Sequence, residues 1–145
     1  MSTPRPASGS RPPGWQQEHA RRYVESGGKD GHLWEGVTTL LLTTTGRRSG
    51  QARTTPLIYG RDGDRYVVVA SRGGAPQHPA WYENLAAHPE VTVQVMADRF
   101  KARARTASAA ERPALWKTMA AIWPPYDEYQ AKTSRTIPVV ILERA

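Results

Sequence analysis

Cysteine is absent from the 145-residue sequence. That excludes a disulfide framework, a thiolate nucleophile, an iron–sulfur cluster and a thiolate zinc site. Long apolar runs are missing as well: none approaches the roughly 20 residues needed to cross a bilayer, and mean hydropathy is -0.61. The opening MSTPRPASGSRPPG has no apolar stretch behind its arginines, so no secretory signal is expected and a cytoplasmic protein is the default. The four histidines, His19, His32, His78 and His88, show no metal-ligand spacing with one another or with acidic residues, so no metal is expected. Ser49 and Ser71 have no nucleophile-elbow context and no motif-placed histidine to activate them. Any chemistry then belongs to a bound cofactor.

Acidic charge is scarce: 13 Asp and Glu face 20 Lys and Arg, a net +7. The excess is concentrated. Between residues 45 and 72, Arg47, Arg48, Arg53, Arg61, Arg65 and Arg72 face only Asp62 and Asp64, leaving +4. Arginine's planar fork suits phosphate and carboxylate. Within this segment Gly46-Arg47-Arg48-Ser49-Gly50 matches neither a P-loop nor a dinucleotide motif. Its glycines nevertheless let backbone N–H groups approach an anion while two arginines neutralise it. A plain β-turn with solvated arginines is the alternative.

The length suits one domain. Residues 1–14 hold Pro, Ser, Gly and Arg without a large apolar side chain, so a disordered arm is expected, ahead of a single domain over 15–145. Trp15, His19 and Tyr23 recur at i, i+4 and i+8, the stripe of a short helix that lies across a barrel or caps a cleft. The β-branched run from Val37 to Thr45 predicts a strand buried on both faces. Thr54 to Tyr59 reads as its return strand, held to an edge or bulge by Pro56. After the Arg61-Asp62-Gly63-Asp64 turn, Tyr66 to Ser71 forms a third strand, and three antiparallel strands in a row make a meander. Pro79 opens a helix to Ala87 with Trp81 and Leu85 on one face. Val91 to Val95 alternates as a strand paired with Phe100 to Thr106. Ser108 and Glu111 resemble a capping box before a helix carrying Leu115, Met119 and Ile122. Pro124-Pro125 stops that helix, Tyr126 and Tyr129 begin another, and Ile137 to Leu142 closes the chain as a strand. The expectation is an α+β domain of about six mostly antiparallel strands in a barrel-like sheet with flanking helices. Asp127 and Glu128 read as a solvated helix face. Trp123, Tyr126 and Tyr129, spaced by three beside the prolines, read either as peripheral core or as an aromatic wall over a flat conjugated ligand.

Taken together, LLTTTGRRSGQARTTPLIY, VVVASRGGAPQHPAWYENLAAHPEVTVQV and WPPYDEYQAKTSRTIPVVILER resemble the deazaflavin (F420)-dependent nitroreductase family, from about Leu40 to Leu142. The resemblance implies a split β-barrel of the FMN-binding type. Its cofactor would be coenzyme F420, a reduced 8-hydroxy-5-deazaflavin with a phosphodiester and polyglutamate tail, which passes a hydride to a quinone, nitroaromatic or similar small-molecule acceptor. It implies that Arg47, Arg48 and Ser49 grip the tail and that Arg53, Thr54, Thr55, Pro56, Leu57 and Ile58 follow along the coenzyme. Val69, Ala70, Ser71 and Arg72 would contact it from a strand end, and Ala80, Trp81, Tyr82, Glu83 and Asn84 would lie behind the ring. Tyr126 sits at the pocket mouth in this reading, with Tyr129 and Trp123 on the acceptor and Ser71, a tyrosine or water as proton donor. Trp123 stands where the best-known nitroreductase members have tyrosine, which removes a hydroxyl and favours quinones over bicyclic nitroimidazoles.

Three other readings remain at this point: a flavin mononucleotide enzyme on the same barrel, a nucleic-acid-binding barrel, and a non-catalytic carrier of a hydrophobic ligand. The aromatics are not interleaved with the arginine cluster, which argues against nucleic acid. Two arginines among the prolines of the arm give at most weak peripheral attraction to an anionic inner leaflet. A homodimer is compatible with the resemblance.

Overall fold

The computed structural model describes residues 14–145, so the expected arm lies outside the described residues apart from Gly14. Helix α1 (Trp15–Ser26) comes first, followed by strands β1 (Leu33–Trp34), β2 (Val37–Thr45), β3 (Ala52–Ile58), β4 (Gly60–Asp62) and β5 (Arg65–Val69). A 3-10 turn (Arg72–Gly74) and α2 (Ala80–Ala87) lead to β6 (Glu90–Val95) and β7 (Asp98–Thr106), and α3 (Arg112–Ile122) and α4 (Pro125–Ala131) precede β8 (Val139–Arg144). All pairings are antiparallel, in the order β1-β2-β6-β7-β8-β5-β4, with β3 on the free side of β2.

The expected meander does not form. β3 pairs with β2 alone, and the third strand, β5, is taken up between β4 and β8. Pro56 explains the edge position: it sits opposite Leu41 in the β2–β3 register and has no N–H to offer a further neighbour. The strand count also rises from about six to eight among the described residues, because β1 and β4 span two and three residues and carry no readable period.

Side chains alternate across this curled sheet. Leu40, Leu42, Tyr66, Val68, Val140 and Leu142 face the barrel interior, where α2 inserts Trp81 and Leu85. Val67, Val69, Val139 and Ile141 point the other way, against Leu115 and Met119 of α3 and Tyr126 of α4. Strands β5 and β8 are thus buried on both faces, which is why their sequences read as unbroken apolar runs. The capping box is built: the Ser108 N–H donates to Glu111 Oε1 at 2.9 Å, and the Glu111 N–H donates to Ser108 Oγ at 3.2 Å. Arg105 also binds Glu111 through both carboxylate oxygens and, ahead of the Ser108 contacts, lowers its pKa to about 2.

Helix α1 lies across the outside of β2. Its Tyr23 is fully buried with Ala20 and Leu41, donates its hydroxyl hydrogen to the Thr39 carbonyl (3.1 Å) and accepts the Met96 N–H (2.7 Å). Gly28 then passes against the β6–β7 turn so closely that a Cβ would lie 2.3 Å from Met96 Cα, at a φ of +87°. Gly28→Ala should therefore cost roughly 2–4 kcal/mol, combining left-handed strain with overpacking, and a chemical denaturation curve will measure it.

Beside this seat, His32 Nε2 lies 3.0 Å from the Tyr59 hydroxyl, and burial lowers the histidine's pKa below 6.5. The unfolded chain takes up this proton near pH 6.5 while the folded chain resists it. Stability contributed by His32 is thus complete above pH 6.5 and declines as pH falls below it. His32→Asn should flatten that part of the stability–pH curve, measured by urea unfolding between pH 7.5 and about 5.

Candidate active site

The turn from β2 to β3 is built for close approach. The Gly46 N–H donates to Gln51 O and the Gly50 N–H to Gly46 O, each at 2.8 Å, and Gly50 takes φ +72°. Ser49 Oγ accepts the Gln51 N–H at 3.1 Å, so its own hydroxyl hydrogen remains available to an anion.

From α2, Asn84 reaches into this turn. Its Oδ1 accepts both the Arg47 N–H (3.1 Å) and Arg47 Nη1 (3.2 Å), and its Nδ2 donates to Thr44 Oγ1 (3.2 Å). Asn84 is only 5% exposed. A buried amide of this kind holds its neighbours in place, because leaving it unpaired costs about 1–3 kcal/mol.

Two cavities meet at this junction. A groove of about 930 Å³ runs between the turn and α1, bordered by Arg21, Arg47, Arg48 and Arg53. A cleft of about 870 Å³ opens beside it, walled by Trp15, Trp34, Trp123, Tyr126 and Tyr129. Gln16, Arg47, Thr55, Ala80 and Trp81 line both. Arg21 is engaged by Glu18 and Glu25, and Arg47 lies 3.8 Å from Glu83. Arg48 and Arg53 make no ion pair among the described residues and stay exposed toward the groove.

The structure gathers most of the expected residues. Arg48, Ser49, Arg53, Thr54 and Asn84 line the groove. Pro56, Leu57, Ile58, Val69, Ser71 and Arg72 line the cleft, together with Glu83, Trp123, Tyr126 and Tyr129. Two of the expected residues line neither cavity. Tyr82 turns its hydroxyl to Thr106 Oγ1 at 2.8 Å, and Ala70 is wholly buried in the strand end. The stripe on α1 does cap a cleft: Trp15 and His19 are part of its wall.

Tyr126 is 4% exposed, and its pKa is raised by burial first and then by neighbouring Tyr129. It keeps its proton at neutral pH. Trp123 packs at 5.3 Å from Trp34, which stacks at 5.9 Å on Trp15. Trp34, on a two-residue strand, had no periodic signal to mark it.

Arg135 was missed as well. Its Nε donates to Ala75 O (2.8 Å), Nη2 to Ser71 O (2.7 Å), and Nη1 to Ala70 O (3.3 Å) and His78 Nδ1 (2.9 Å). Burial, and then the charge of Arg72, lower its pKa. Its position in a polar stretch after α4 gave no hint that four acceptors converge on it. No group of three or more His, Asp or Glu that could hold a metal occurs among the described residues.

An arginine-bordered groove continuous with an aromatic cleft is an arrangement for a flat ligand with an anionic tail. Residues 15–144 match the family model described as F420H(2)-dependent quinone reductase. The chain belongs to that family. Within it, an F420H(2)-dependent quinone reductase of Mycobacterium tuberculosis (strain ATCC 25618 / H37Rv) is 42% identical over 135 residues, 87% of each chain. A second of the same strain is 41% identical over 106 residues, covering 73% of this chain and 89% of the relative. Among solved structures, an F420-H2 dependent reductase, FDR-A, shares 44% identity with a TM-score of 0.68 over 72% of this chain and 93% of that one. Another, described as a domain-swapped dimer, shares 41% identity with a TM-score of 0.70 over 88% and 96%. At 14% identity and a TM-score of 0.53, a FAD-binding protein from Mesorhizobium loti matches 74% of this chain and 79% of its own, a likeness of the split-barrel fold alone. As an F420H(2)-dependent quinone reductase the chain uses coenzyme F420 and a small-molecule acceptor. The flavin mononucleotide and non-catalytic carrier readings give way to it. Among the described residues no helix is long and apolar enough to cross a membrane.

The junction carries the first test of the site. Asn84→Leu removes the acceptor that holds Arg47 and leaves Thr44 and the Arg47 N–H without their buried partner. It should weaken coenzyme binding about tenfold or more and lower stability by roughly 1–3 kcal/mol, read by coenzyme titration and thermal melting.

Proposed function

We propose that the groove and the cleft together form one coenzyme site, with the tail of reduced F420 along the arginines and its ring in the aromatic cleft beneath a quinone. The observation that carries this reading is the continuity of the two cavities through Arg47, Thr55 and Trp81. The residues fit the group. The groove offers Arg47, Arg48 and Arg53, the free hydroxyl hydrogen of Ser49 and the exposed turn backbone to a phosphodiester and carboxylates, and the cleft offers flat walls to a conjugated ring.

In this reading Arg47, Arg48 and Ser49 hold the tail, while Arg53 and Thr54 border its course and Asn84 keeps Arg47 in place. Thr55, Pro56, Leu57 and Ile58 form one side of the ring site, with Val69, Ser71 and Arg72 facing them and Ala80, Trp81 and Glu83 at the helix start. Trp123, Tyr126 and Tyr129 stack the acceptor. When bound, the reduced deazaflavin supplies a hydride, and a quinone that receives it together with a proton leaves as the hydroquinone. The protein's task is to hold two planes in contact and place hydrogen-bond donors at the acceptor's oxygens. Tyr126 can serve as such a donor because burial keeps it protonated. Trp123 presents an indole without a hydroxyl, which supports a flat quinone as acceptor. The relative described as a domain-swapped dimer supports a homodimer.

Arg47→Ala combined with Arg48→Ala should weaken F420 binding by about 100-fold, since two charge-assisted contacts are lost. Coenzyme titration of the folded double variant measures this, with bleaching of reduced-coenzyme absorbance on adding menadione as the activity readout. Equal affinity in variant and parent would sink the tail assignment.

A further inference from the structure

His78 lies just before α2 and lines the aromatic cleft but not the arginine groove. Its Nδ1 is 2.9 Å from Arg135 Nη1. A guanidinium has donors and no acceptor, so in this contact Nδ1 can only accept. The neutral imidazole therefore carries its hydrogen on Nε2. That nitrogen makes no hydrogen bond among the described residues. The ring is also held laterally against Tyr82, with centroids 4.8 Å apart.

The support around it is rigid. The same guanidinium that fixes Nδ1 binds the carbonyls of Ala70, Ser71 and Ala75 within the segment that leads from β5 to His78. That segment packs on α4: a Cβ on Gly74 would lie 2.7 Å from the Tyr129 carbonyl oxygen, with Gly74 at φ +83°. His78 is thereby tied to the helix that carries Tyr126 and Tyr129.

Resting on the coenzyme site proposed above, we propose that His78 is a further catalytic residue, a neutral imidazole whose Nε2–H donates a hydrogen bond to the carbonyl oxygen of the quinone, and that Arg135 is the positioning residue that sets its tautomer. Hydride addition brings one proton and two electrons to the quinone, so negative charge develops on its oxygen. The Nε2–H stabilises that charge without being transferred, because its loss would leave an imidazolate. The proton that completes the hydroquinone comes from water. A neutral histidine polarising a carbonyl is established chemistry in other enzymes, and its contribution is that of a preorganised donor at developing charge.

Three variants, His78→Ala, His78→Gln and Arg135→Met, test this with F420 titration, menadione reduction at saturating coenzyme, and nitrogen-15 imidazole spectra of the unaltered protein. The expected spectrum has His78 protonated on Nε2 with Nδ1 bare, a readout independent of coenzyme and turnover. His78→Ala should lower kcat/KM for menadione by about 100-fold with coenzyme affinity unchanged. His78→Gln, which retains an N–H donor, should recover part of the loss. Arg135→Met should lower kcat/KM as His78→Ala does, and adding it to His78→Ala should lower kcat/KM little further. A hydrogen on Nδ1 in the spectrum would overturn the proposal. So would unaltered menadione kinetics in His78→Ala, whether or not its coenzyme affinity had fallen. Failure of the unaltered chain to bind F420 would overturn the coenzyme site itself, and this inference with it.

Discussion

A single buried carboxamide joins the parts of this site. Asn84 makes contact with two residues that flank the start of the β2–β3 turn, Thr44 and Arg47, and through Arg47 it orients both the backbone and the guanidinium at the meeting point of the two cavities. Being almost excluded from water, it has little freedom to exchange these partners for solvent. The groove's charge and the cleft's shape are consequently fixed relative to one another by hydrogen bonds between α2 and the sheet, while the exposed ion pairs of α1 contribute little to that alignment.

The second constraint is the burial of β5 and β8 on both faces. Their inward side chains fill the barrel, and their outward ones carry α3 and α4. This layering places Trp123, Tyr126 and Tyr129 over the end of β5, where Val69 and Ser71 border the cleft. Trp123 and Tyr126 serve two purposes at once, since they belong to the helix-facing core and also form the wall of the cleft.

Much of this was legible in the residues. The β-branched run Val37–Thr45 announced a doubly buried strand, Tyr66–Ser71 and Ile137–Leu142 announced two further strands, Pro56 announced an edge, and the pairing of Ser108 with Glu111 announced a helix start. The arginine turn stood out because glycine and charge coincide there. Partner choice was not legible: nothing local in Tyr66–Ser71 says that it leaves β3 for a strand some seventy residues later, since side-chain period specifies a face and not a neighbour. Trp34 and Arg135 escaped notice for a related reason. Each acts through contacts distant in sequence, from a segment too short or too polar to show periodicity. The family resemblance supplied what local physics could not, the identity of the flat anionic ligand.

The place of β8 in the sheet has a consequence for how the enzyme comes into being. It lies between β7 and β5, so among the described residues the half of the sheet that carries the arginine turn and the half that bears α3 and α4 are joined only by β8. Before that strand emerges from the ribosome, β5 has only the three-residue β4 beside it. Long-range closure of this kind comes late in folding. The nascent chain therefore holds the two walls of a binding site without the site, and redox competence arrives only once β8 has taken its place between β7 and β5.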